Sequence, residues 1–123
     1  MPSLSHAQVC HAEYYRNILS QAQNICLKGG DNNREALDFF DMEWPNIKRG
    51  QLWAAEHVQR LEAATSLCED YPDAGAHILD IRLHPEQRII WSEAAITAAR
   101  ILQDISAEAT HIGNLGVAFA DLG

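Results

Sequence analysis

At 123 residues the chain is long enough for one domain with its own hydrophobic core and too short for two. Its apolar share of 47% and charged share of 21% argue against both a disordered chain and a membrane-embedded one. A formal charge of −8 leaves no basic stripe to neutralise phosphates, so nucleic acid is not an expected partner.

The first helix is expected over residues 5–28. Val9, Ala12, Tyr15, Ile18, Leu19, Ala22, Ile25 and Cys26 recur at helical spacing there, with Ser5 as N-cap and Gly29-Gly30 as the stop. A second helix follows the capping signals Asp31-Asn32, carries Ala36, Leu37, Phe40 and Trp44 on one stripe, and ends or kinks at Pro45. Pro45 equally opens a third helix through Ile47, Leu52, Ala55 and Val58, weakened at Gly50 by about 1 kcal/mol relative to Ala. A bent pair is the expectation.

Residues 61–70 read as helix, Tyr71-Pro72-Asp73 as an interruption, and residues 74–83 as a resumption through Ile78, Leu79 and Leu83. After His84-Pro85 comes the strongest helix, banded by Ile89, Trp91, Ala95, Ile96, Ala99 and Leu102 and leaving at Gln103-Asp104. The last begins near Ser106 and sets Ile112, Leu115, Phe119 and Leu122 at steps of three and four, with Gly123 as its stop. No segment alternates with period two, so the fold class is all-α, six or seven antiparallel helices.

Ile112, Leu115, Gly116 and Phe119 match the W-x2-L-G-x2-Y core of the tetratricopeptide (TPR) repeat, and this part of the chain resembles that family. Residues 86–104, with Trp91, Ala95 and Ile96, resemble the second helix of a preceding repeat whose first helix is 61–83. The segments Glu-Trp-Pro-Asn-Ile, Asp-Tyr-Pro-Asp-Ala, His-Pro-Glu-Gln-Arg and Gly-Asn-Leu-Gly further resemble the C-terminal helical arms of bacterial NB-ARC/STAND-type signalling ATPases. No G-x-x-x-x-G-K-[ST] is present, so ATP binding does not carry over.

The resemblance implies one TPR-like domain over 1–123, a right-handed α-α superhelix of antiparallel hairpins. It divides into divergent helices at 1–60, a repeat-like pair at 61–104, and the first helix of an incomplete repeat at 105–123. It implies a protein-protein interaction or scaffold role with a protein or peptide partner, no catalysis and no cofactor. A regulatory or sensor arm of a larger signalling ATPase is the alternative.

Because the last helix lacks a pair, Ile112, Leu115, Phe119 and Leu122 are the candidate interface residues, and a homodimer through this C-terminal helix is expected. Cys10, Cys26 and Cys68 are an odd set without CxxC or a secretory leader, as in a reduced cytoplasmic protein. No run approaches the roughly 18 apolar residues of a membrane span.

Glu108 and His111 stand one turn apart, as in di-iron bundles, which makes a metal-binding helical-bundle enzyme a further alternative. A second such pair is missing, so a polar helix flank is the simpler reading. His6, Cys10 and His11 share a helix face without a further ligand cluster, and His57, Cys68, His77 and His84 are scattered singly. Asp38, Asp41 and Glu43, with Glu69, Asp70 and Asp73, are candidates for an acidic surface facing a basic partner, or for ordinary solvated faces. Trp44, Trp53 and Trp91 fit core packing better than interface anchoring.

Overall fold

The computed structural model describes residues 4–29 and 32–123. Among these the chain is all-helical: α1 (Leu4–Leu27), α2 (Asn32–Glu56), α3 (Glu62–Ala74), α4 (Ala76–Arg82), α5 (Pro85–Leu102) and α6 (Ile105–Leu122). Short connections make α1–α2 and α5–α6 packed hairpins, and α3 lies between them against α1, α2 and α5.

The periodicity of α1 meets the core as expected. Ala12, Ile18, Leu19, Ala22 and Cys26 are buried, with Val9, Tyr15 and Ile25 packed at the margin. Ser5 is not its N-cap, because α1 already includes Leu4. Gly29 ends the helix at φ +72, a conformation that glycine adopts without steric cost. Of the stop and capping residues expected next, Gly30 and Asp31 lie outside the described residues, and Asn32 is the first residue of α2.

Proline does not divide the chain where the sequence suggested. α2 runs unbroken through Pro45, replacing the expected bent pair, and stops at Glu56 before Val58. Pro45 is exposed, so the backbone bond it forfeits lies on the solvent side, while Ala36, Phe40, Ile47 and Ala54 bury one continuous face. α3 likewise includes Pro72, and the break falls at Gly75. A Cβ on Gly75 would overlap the Leu19 side chain, so α1 crosses too closely there for any larger residue. α4 then restarts with a borrowed cap: Gln23 Oε1 of α1 accepts the His77 and Ile78 amides at 2.8 and 3.1 Å.

The helix ends around α5 and α6 follow local chemistry. His84 Nδ1 accepts the Glu86 amide and Pro85 occupies the first turn, where its missing N–H costs nothing. Gln103 turns the chain at φ 58, and Asp104 caps α6 by accepting the Ala107 amide at 3.1 Å. The start expected near Ser106 is thus moved to an Asp104 cap.

The centre of the core is Tyr71, fully buried, whose hydroxyl donates to the Ala12 carbonyl at 2.6 Å. Gly50 sits over that hydroxyl, and a Cβ there would collide with it. An aromatic series joins the layers. Phe40 stacks on Trp44 at 5.4 Å, Trp44 on Trp91 at 5.9 Å, and Trp91 meets the edge of Tyr71 at 5.9 Å. Trp53 and Trp91 are buried and Trp44 half-buried, as core packing requires.

Candidate functional site

α6 is the most hydrophobic helix, yet it buries only His111 and Ala118 and packs chiefly on α5. Ile112, Phe119 and Leu122 stand 46%, 52% and 46% exposed, Leu115 is half-buried, and Ile105 and Val117 are also in solvent. Both acidic residues of α6 are tied back to α5: Glu108 accepts from Arg100 Nε at 2.7 Å, and Asp121 from Arg88 at 2.7 Å. Glu108 and Asp121 stay partly exposed, their side chains 27% and 51% accessible, so two ion pairs border the apolar side chains of α6. Gly113 and Gly116 lie on this helix with open space where a Cβ would stand. The four residues singled out from sequence therefore belong to one largely open apolar strip bordered by ion pairs.

Glu108 and His111 sit in different surroundings. Glu108 is paired with Arg100, and His111 is fully buried with neither ring nitrogen hydrogen-bonded. No group of three His, Cys, Asp or Glu side chains among the described residues is placed to hold a metal. His6 Nε2 and Cys10 Sγ lie 3.7 Å apart on the exposed side of α1. His57 stacks on Trp53 and its Nδ1 contacts the Trp53 carbonyl at 2.8 Å, His84 caps α5, and Cys68 is core. Burial, with Glu69 adjacent, pushes the Cys68 thiol up to about 12, which leaves it without nucleophilic character.

The acidic residues divide between stitching and clustering. Asp41 takes a bidentate bond from Arg82 at 2.9 Å on each oxygen, joining α2 to α4, and Asp70 takes one from Arg16 of α1 at 3.2 Å. Glu69 and Asp70 meet a carboxylate that the sequence did not associate with them, Asp104 at the α5–α6 turn. These three, with Ser66, Leu102 and Gln103, line an open recess of about 590 Å³. Partial burial, then its hydrogen bond to Asp104 and neighbouring acids, push Glu69 up to about 7, while the Ala107 amide and Glu69 hold Asp104 low. Of the pair, Asp104 is therefore the one that ionises first and Glu69 the one that holds its proton toward neutral pH.

Compared with protein-family models, curated proteins and solved structures, the chain matches none. No helix among the described residues is long and apolar enough to cross a membrane.

Proposed function

We propose that this chain is a non-catalytic protein-interaction module of the tetratricopeptide type, a right-handed superhelix of helical hairpins, whose contact surface is the open strip of α6 around Ile112, Leu115, Phe119 and Leu122. The observation that carries this reading is the strip's make-up: apolar side chains about half in solvent, with the acids beside them neutralised by arginines, in a chain of net charge −8.

The occupant favoured by that make-up is a second copy. Two such acidic chains repel wherever unpaired carboxylates face one another, and the apolar strip, whose bordering acids are paired with arginines, is where they meet with least penalty. A two-fold axis across α6 sets the large Ile112 and Phe119 of one copy against the open ground over Gly113 and Gly116 of the other.

Light scattering at micromolar concentration is expected to find a dimer. Phe119→Asp, at an already exposed position, should weaken it about a hundredfold, with helicity and Tm retained. A monomer at every concentration, or a dimer indifferent to Phe119→Asp, overturns the reading.

A further inference from the structure

Four helices meet around a small pocket. Pro72 of α3, Leu79 of α4, Trp91 and Ser92 of α5 and Asn114 of α6 line it, and its volume is about 60 Å³. Leu79, Leu83 and Trp91 are buried and give it apolar walls, while Asp80 and Asn114, both exposed, mark where it meets solvent. The two charged residues of the lining cancel, because Arg88 bonds Asp80 at 3.3 Å, and it also holds Asp121 at 2.7 Å.

Ser92 is the odd member of this lining. It is only 5% exposed, yet its hydroxyl has no hydrogen-bond partner among the described residues. The helical threonines behave otherwise: Thr65, Thr97 and Thr110 each donate to the carbonyl four residues back, at 3.0, 3.2 and 3.1 Å. Nor is the Ser92 oxygen sealed in as the partnerless His111 ring nitrogens are, for it keeps accessible surface and borders the pocket. A hydroxyl held within the fold, unspent and reachable, is a hydrogen-bonding position that an incoming group can take. Asn114 supplies another, its amide likewise without a partner among the described residues.

We propose that this pocket binds a small uncharged primary carboxamide, its head hydrogen-bonded by the Ser92 hydroxyl and the Asn114 amide and its short alkyl tail against Leu79, Leu83 and Trp91. Charge disfavours the ionised relatives. An anion finds no cation to spare, because Arg88 is already shared by two carboxylates, and a cation would have to displace Arg88 from Asp80. Hydrogen bonding selects the head: Ser92 and Asn114 can each donate and accept, and a carboxamide answers with an acceptor oxygen and a donor nitrogen in one plane. Size limits the rest. At ~30 Å³ for each water of the liquid, the volume equals about two waters, so the enclosed part of the ligand has about four non-hydrogen atoms. Ile112 and Asn114, two residues apart, lie on opposite sides of α6, so the pocket is apart from the apolar strip and either proposal stands or falls without the other.

The test titrates the full chain with propionamide, with the charged propionate, and with butanone, which carries a methyl group in place of the amide nitrogen. NMR follows the Leu79 and Leu83 methyl and Trp91 indole resonances. Propionamide is expected to shift these signals saturably, with a Kd on the order of millimolar, and to leave the Trp53 indole in place. Propionate and butanone should bind at least about fivefold more weakly, and Ser92→Ala should weaken propionamide by a similar factor. That variant removes an oxygen with no partner in the fold, so it is expected to keep the parent's Tm. No saturable movement with propionamide, which would leave the pocket to water, overturns the proposal. So does equal affinity for propionamide and either analogue, or unaltered propionamide affinity in folded Ser92→Ala.

Discussion

Tyr71 and Gly50 are fitted to one another, and neither residue announces this in the sequence. Gly50 reads as a weak point in a helix, yet its missing side chain is what lets the Tyr71 hydroxyl reach the Ala12 carbonyl. Gly50→Ala should therefore cost about 2 kcal/mol in denaturant unfolding despite the gain in helix propensity. In a Tyr71→Phe background the same change should cost less than about 1 kcal/mol, the coupling that a double-mutant cycle measures. Glu69 supplies a second residue-scale test. Its folded pKa is raised to about 7, so between the ordinary carboxylate range and that value the folded chain holds a proton the unfolded chain has released. Stability contributed by Glu69 consequently falls as pH rises through this window and stays reduced above it. Glu69→Gln should match the parent's Tm near pH 5 and exceed it by about 3 °C near pH 8, allowing for the partial exposure of the site. An equal offset at both pH values would exclude Glu69 as the source.

Helices were legible where their signals are local. The apolar spacing of α1 and of α5, the His84-Pro85 start and the Gln103-Asp104 exit all act within one or two turns, and all have structural counterparts. The divisions at Pro45 and Pro72 were misread because a proline's cost is local, whereas the burial that outweighs it is assembled from other helices. Gly75, the actual break, depends on Leu19 some distance back in the chain. The same dependence makes α4 vulnerable. Its seven residues have no side-chain cap of their own and rely on Gln23 of α1 for two amide bonds. Gln23→Ala should cost about 1 kcal/mol globally. Hydrogen exchange should localise the loss to residues 76–82, leaving α5 as protected as before.

For the whole molecule, the all-helical class could be read from the chain. The α6 strip was legible because Ile112, Leu115, Phe119 and Leu122 recur within a single helix. The pairing of its bordering acids was not, since this requires Glu108 and Asp121 to meet Arg100 and Arg88 of α5. The meeting of Glu69 with Asp104 is likewise a property of assembled helices, invisible to spacing along any one of them. The three thiols, placed at different depths, give the molecule a chemical memory of its own motions. Cys10 lies open on α1, Cys26 is closed beneath the α1–α2 hairpin, and Cys68 is sealed among the core residues of α3. An alkylating reagent that marks Cys10 alone has met the closed molecule. A mark on Cys26 records an opening of the first hairpin, and one on Cys68 a departure of α3 from its neighbours, so the pattern of modified sulfurs reports how far each molecule has come apart.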